Sequence, residues 1–150
     1  MSELFCPIRK SWCKALPEEE VRISLIKHMI AQLAFPEHTF AIEKALRHLP
    51  HIQANVTMPA RRADILCFAK GIHPQLDIYP LLLVECKAVK ITDKVIDQVV
   101  GYNHYVQAFF VCVANKEEVR TGWRNASGTY DFVPYLPGYD DLRKSIQMQE

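Results

Sequence analysis

A mixed α/β (α+β) fold, with a central sheet flanked by helices, is predicted by three features of the 150-residue sequence. An amphipathic helix opens at Pro17. Two continuous apolar runs, Tyr79 to Val84 and Phe109 to Val113, have the character of strands covered on both faces. Between them lies a second amphipathic segment, so the later strand returns through a helix, as a crossover connection requires. The predicted order is helix, strand, strand, strand, helix, strand, followed by a C-terminal hairpin.

Residues 1–16 carry no sustained apolar period and read as an irregular arm. Pro17-Glu18-Glu19-Glu20 then combines a proline with early acids, a favourable helix start. The helix is expected to reach Leu33, with Val21, Leu25, Ile26, Met29, Ile30 and Leu33 forming one stripe. Arg22, Ser24 and Lys27 fall largely outside that stripe, Glu19 borders it and Glu20 points away. Phe40 to Leu46 fits a first strand, before a loop around His48, Pro50, His51 and Asn55. Ala63 to Phe68 fits a second strand, and Tyr79 to Val84 is the third, ending abruptly in Glu85-Cys86-Lys87. Thr92 is a suitable N-cap for a helix through Val106, with Val95, Val99, Tyr102 and Val106 at helical spacing. Past the fourth strand, Thr121 to Arg124 and Tyr130 to Val133 flank Asn125-Ala126-Ser127-Gly128, a hairpin signal. The tail from Pro137 reads as loop plus a short helix. We divide 1–150, a single domain, into the arm (1–16), a core (17–113) and the hairpin with its tail (114–150).

Composition narrows the function classes. A 49% hydrophobic and 23% charged chain has enough apolar surface for one core without staples. Its formal net charge is only +1, so nucleic-acid contact would depend on local clusters. The five cysteines form no CxxC pair and partly sit in apolar runs, which points to reduced thiols and a cytoplasmic location. Neither a signal-peptide apolar region nor a bilayer-length apolar stretch is present, so no membrane partner is expected. Six histidines lack HxxxH or HExxH spacing, which argues against zinc, and no Walker A motif exists to bind ATP.

Chemistry concentrates at the end of the third strand. Glu85 and Lys87 alternate with Cys86, so both side chains leave one face of the strand and Cys86 leaves the other. A carboxylate next to four aliphatic residues either marks where the strand leaves the core or belongs to a paired or metal-binding group. Asp64, inside the second strand, sharpens the second alternative. Two acids on adjacent strands can share a hard cation such as Mg²⁺, which keeps several waters, and a lysine beside them can stabilise developing phosphoryl charge.

Four motifs then occur in order: Pro17-Glu18-Glu19-x-Val21-Arg22, Arg62-Ala63-Asp64-Ile65, Leu83-Val84-Glu85-Cys86-Lys87-Ala88 and Asp97-Gln98-x-x-x-Tyr102-Asn103. Together they resemble the N-terminal nuclease domain of type I restriction enzyme R subunits, particularly its small stand-alone relatives, over nearly the whole chain. The resemblance implies a PD-(D/E)XK fold, a requirement for Mg²⁺ (or Mn²⁺) and phosphodiester hydrolysis. It implies Asp64, Glu85 and the Cys86 backbone carbonyl as metal ligands, Lys87 as the catalytic lysine, Glu19 as an auxiliary acid and Gln98 as the polar residue of the second helix. Glu43 is also matched in the relatives. Gly101 and Ala114-Asn115-Lys116 depart from the family pattern.

On the helical wheel, Glu19 borders an inward stripe and Gln98 shares a face with Val95 and Tyr102, so both can face the sheet. A first-turn acid serving the helix dipole and an amide making a local hydrogen bond are the alternatives. Arg61, Arg62, Lys90 and Lys94 flank the two acid-bearing strand ends and are the candidate phosphate contacts for DNA. The leading expectation is a Mg²⁺-dependent endonuclease acting on DNA. Its rivals are a non-catalytic nucleic-acid-binding or assembly module and a protein-interaction domain in which Glu85 and Lys87 form only an ion pair.

Overall fold

The computed structural model describes residues 2–45, 49, 51 and 62–147. The loop positions His48, Pro50 and Asn55, the strand end expected at Leu46, and the candidate base Arg61 lie outside the described residues.

Residues 1–16 depart from the expected irregular arm. Strand β1 (Glu3–Cys6) pairs antiparallel with β2 (Ser11–Lys14), and Phe5 meets Trp12 edge-on at 5.4 Å. The turn closes through Lys10, which sits at φ 55 and whose N–H donates to the Cys6 carbonyl. Cys6 is fully buried against the following helix, so tertiary packing supplies what local periodicity lacks.

Helix α1 (Pro17–Gln32) begins where proline and three acids predict. Its buried residues include Val21, Leu25, Ile26 and Met29, as the stripe requires, while Ser24 and Lys27 are exposed. Arg22 is the exception, because it is buried rather than outside the packed face. A short 3₁₀ turn (Glu37–Thr39) leads into β3 (Phe40–Ala45). Next come β4 (Arg62–Lys70), β5 (Ile78–Cys86), α2 (Asp93–Val106) and β6 (Phe110–Ala114). The chain ends in β7 (Val119–Arg124), β8 (Tyr130–Val133) and α3 (Tyr139–Gln147).

The larger sheet among the described residues has six strands in the order β3-β4-β5-β6-β7-β8. Only β5 and β6 run parallel, and α2 connects them; the other neighbours are antiparallel. This mixed α+β architecture agrees with the predicted class.

Alternation along the strands builds two cores. Ile65, Cys67, Val84, Cys86 and Cys112 pack with α1 and α3 on one face. Leu66, Leu83, Val111 and Val113 pack with Val99 and Val106 of α2 on the other. A strand covered on both faces has no polar side to offer, which is why β5 is buried from Tyr79 to Cys86. The five cysteines are all free, and burial pushes the Cys67 and Cys86 thiols well up and that of Cys112 to about 12. Cys67, Cys86 and Cys112 pack as small hydrophobes within their buried strands, whereas Cys13 is half-buried and its thiol bonds the Leu4 carbonyl. No helix of the described residues is long and apolar enough to cross a membrane.

Helix α2 matches its sequence signals at both ends. The Thr92 hydroxyl accepts from Val95 N–H at 3.4 Å, and Gln107 closes the helix in the left-handed region. Asn103 is buried just inside that end. Its side chain accepts from Ala108 N–H at 2.8 Å and donates to the Ala108 carbonyl and the Tyr130 hydroxyl. This member of the Tyr-Asn motif therefore ties α2 to the loop before β6 and to β8.

The β7–β8 pairing leaves no room for a side chain at Gly122. A Cβ there would lie 2.6 Å from the ring of Phe132, its cross-strand partner. Gly122→Ala is expected to destabilise the protein by about 1–3 kcal/mol through overpacking, measured by urea unfolding. Unchanged stability would mean that the ring moves away at no cost.

Candidate functional site

Asp64 and the Glu85-Cys86-Lys87 segment converge where the β4–β5 ladder stops. The last paired residues at that end are Ile65 and Val84, and the same register carried one step further sets Asp64 opposite Glu85. Backbone pairing gives way there to a side chain. The Cys86 N–H points toward β4 and donates to Asp64 Oδ2 at 2.8 Å, so the carboxylate takes the place of a ladder carbonyl. Lys87 is held from the other side, its N–H donating to the Ala114 carbonyl at 2.8 Å. Glu85 is 2% exposed, whereas Lys87 is half-buried and Cys86 packs into the α1 face.

The other oxygen of Asp64 faces Arg22. One Nη of Arg22 donates to Asp64 Oδ1 at 3.3 Å, and the other reaches Glu19 Oε2 at 2.8 Å and Glu43 Oε1 at 2.9 Å. Arg9, from the turn of the N-terminal hairpin, pairs with Glu19 and lies 4.0 Å from Glu43. Three carboxylates from α1, β3 and β4 thus share two guanidinium groups. Burial opposes the charge on Arg22, but Glu19, Asp64 and Glu43 outweigh it and hold its pKa above the usual value. Arg9 shifts the same way, its burial outweighed by Cys6 and Glu19.

Glu43 reaches the cluster through an unusual backbone. Its φ of 53 lies in the left-handed region, and it drops out of the ladder between Ile42↔Ile65 and Lys44↔Ala63. Nothing in a glycine-free sequence stretch signals such a kink.

The predicted residues are brought together only in part. Asp64, Glu85, Cys86, Lys87 and Glu19 gather at this end of the sheet. Gln98, expected to face the sheet, is exposed, because α2 buries Val99, Asn103 and Val106 and leaves Val95 and Tyr102 half-buried. Arg62, Lys90 and Lys94 are exposed, and Arg62 also donates to the Glu43 carbonyl at 3.0 Å. Arg22 and Arg9 were not expected here. A cavity of about 1240 Å³ opens at the opposite end of β5 and β6, lined by Tyr79, Asn103, Trp123, Tyr130 and others, and it contains none of the predicted site residues.

The family model for the type I restriction enzyme R protein N terminus matches residues 17–137. The chain belongs to that family. No curated protein and no solved structure was found to match it. In this member of the R-protein N-terminal family, the matched span includes Glu19, Arg22, Glu43, Asp64, Glu85 and Lys87, whereas Arg9 comes from the hairpin that precedes it.

Among the described residues, no three His, Cys, Asp or Glu side chains are grouped so as to hold a metal ion. Mg²⁺ does not need such a group, since it binds through one or two carboxylates and retains waters. The donors at the β4–β5 end are hard oxygens: Asp64, the buried carboxyl of Glu85 and the Cys86 carbonyl. Their chemistry fits that ion, and Arg22 holds the Asp64 oxygen that Cys86 N–H does not.

Proposed function

We propose that this domain hydrolyses phosphodiester bonds in DNA with Mg²⁺ (or Mn²⁺), as a PD-(D/E)XK endonuclease. One observation carries the proposal: the Asp64 carboxylate is hydrogen-bonded to the backbone at the centre of Glu85-Cys86-Lys87. The succession α1, β3, β4, β5, α2, β6 and the family membership support the same reading. In this proposal residues 17–113 form the catalytic core, and the five free thiols suit a cytoplasmic location.

Asp64, Glu85 and the Cys86 carbonyl would hold the metal. Bound there, it would supply an acidified water and a positive charge beside the scissile phosphate. The chain's own part is positional and electrostatic. The Cys86 N–H fixes the direction of Asp64, and burial of Glu85 excludes the water that would otherwise screen it. Lys87, kept at the strand end by its backbone bond to β6, can place an ammonium against the developing phosphoryl charge. Glu19, held by Arg9 and Arg22, is the auxiliary acid. Incubation with supercoiled, linear and single-stranded DNA, with RNA as the control, tests the proposal. Cleavage of DNA that needs Mg²⁺ or Mn²⁺ and stops in EDTA is expected, and intact DNA at high protein excess would sink it.

A non-catalytic module that binds nucleic acid or protein is the second reading. It is favoured by both oxygens of Asp64 already having donors, Cys86 N–H and Arg22. In either reading DNA contact falls to a few exposed bases, because the formal net charge is only +1. A shallow salt dependence of DNA affinity is therefore expected, with each lost phosphate contact lowering the slope of log affinity against log salt by about 0.9. Arg62→Ala/Lys94→Ala should reduce that slope. A slope left unchanged would place the DNA elsewhere on the surface.

A further inference from the structure

Resting on the metal-site reading above, we infer that Arg22 is a built-in counter-cation: a positioning residue that holds Asp64 in the ligand-free protein and competes with the incoming divalent ion for it. An arginine 5% exposed on a helix is unusual, since charged side chains rarely bury unless paired. Its two terminal nitrogens are committed to carboxylates, while its Nε is buried and has no hydrogen-bond partner among the described residues. Burial of that guanidinium is offset by the carboxylates of Glu19, Glu43 and Asp64.

Two further features show how the cluster is arranged around it. The strained backbone of Glu43 gives up a ladder pairing and delivers a carboxylate to Arg22 at 2.9 Å and toward Arg9. The Asp64 contact, at 3.3 Å, is the longest of the three and the easiest to give up. Glu19 and Glu43 can then keep the guanidinium in place while Asp64 Oδ1 turns to a metal. Arg22 thus maintains the site without metal and opposes the ion electrostatically when it arrives.

The consequence is opposite to that of a merely structural arginine. Arg22→Gln removes one positive charge beside Asp64 and leaves the carboxylates, so Mn²⁺ measured by titration calorimetry should bind roughly tenfold tighter than to wild type. The ligand-free variant should melt at a lower temperature, and saturating Mn²⁺ should raise its melting temperature more than it raises that of wild type. Arg22→Lys keeps the charge without the fork and should retain wild-type affinity within about threefold, a difference well under 1 kcal/mol. Unchanged or weaker Mn²⁺ binding by Arg22→Gln overturns the inference.

Should Arg22→Gln fail to fold, wild-type protein provides the same decision. In a Mg²⁺ titration followed by ¹⁵N NMR, the Arg22 Nε–H and Cys86 amide resonances should move with one midpoint. Movement of Cys86 alone overturns the inference and leaves the metal reading standing. Wild type that binds neither Mn²⁺ nor Mg²⁺ overturns the metal reading, and this inference with it.

Discussion

Asp64→Asn/Glu85→Gln is expected to abolish stabilisation by Mg²⁺ and any cleavage that depends on it. A ligand that binds only the folded state at a hundred times its Kd stabilises by about 2.7 kcal/mol, and the double variant should lose that entire increment. Its ligand-free stability should change far less. Glutamine matches glutamate in volume, so it fits the 2%-exposed Glu85 position without repacking. Asparagine keeps an oxygen for the Cys86 N–H, although Arg22 loses one of its three carboxylates. Thermal melts of both proteins over a Mg²⁺ series separate these effects. A metal-induced shift equal to that of wild type would place the ion somewhere other than between β4 and β5.

How much of this was legible in the sequence depends on how local its causes are. The bounds of α2 were readable because a threonine cap and a four-residue apolar period are local signals, and Val99 and Val106 are indeed buried. The β5 run was readable because only a doubly covered strand tolerates so continuous an apolar stretch. Asp64 and Glu85 were visible as charges out of place on strands. Arg22 was not, because a helical wheel measures distance from the apolar stripe and not the carboxylates waiting beside it. Two of those, Glu43 and Asp64, come from β3 and β4, and Glu43 faces Arg22 only because of a backbone kink that no residue type announced. Arg9 required the N-terminal hairpin, whose cause is the burial of Cys6 against α1 rather than any pattern within residues 1–16. Gln98 is exposed for a different reason: it lies about 100° round the helix from the buried Val99, while Val95 and Tyr102 stay half-buried at the edge of the covered face.

Lys87→Ala is expected to leave Mg²⁺ binding nearly intact while lowering DNA cleavage by roughly two orders of magnitude or more, the size of effect seen when one charge contact to a transition state is removed. The separation follows from how Lys87 is held. Its backbone N–H bonds the Ala114 carbonyl at 2.8 Å, a bond that alanine retains, so the strand end and the Cys86 N–H to Asp64 contact should survive the substitution. The ammonium of this half-buried residue is the part that is lost. Because that group is proposed to act on the reacting phosphate, single-turnover cleavage should fall at every metal concentration instead of being restored by adding more Mg²⁺. Lys87→Arg keeps the charge but spreads it over a planar fork of different reach, so recovery should be partial. A Lys87→Ala protein that cleaves at the wild-type rate would remove this lysine from the chemistry. One whose cleavage returns fully at high Mg²⁺ would assign it to metal retention, in which case Asp64 and Glu85 would carry the site without it.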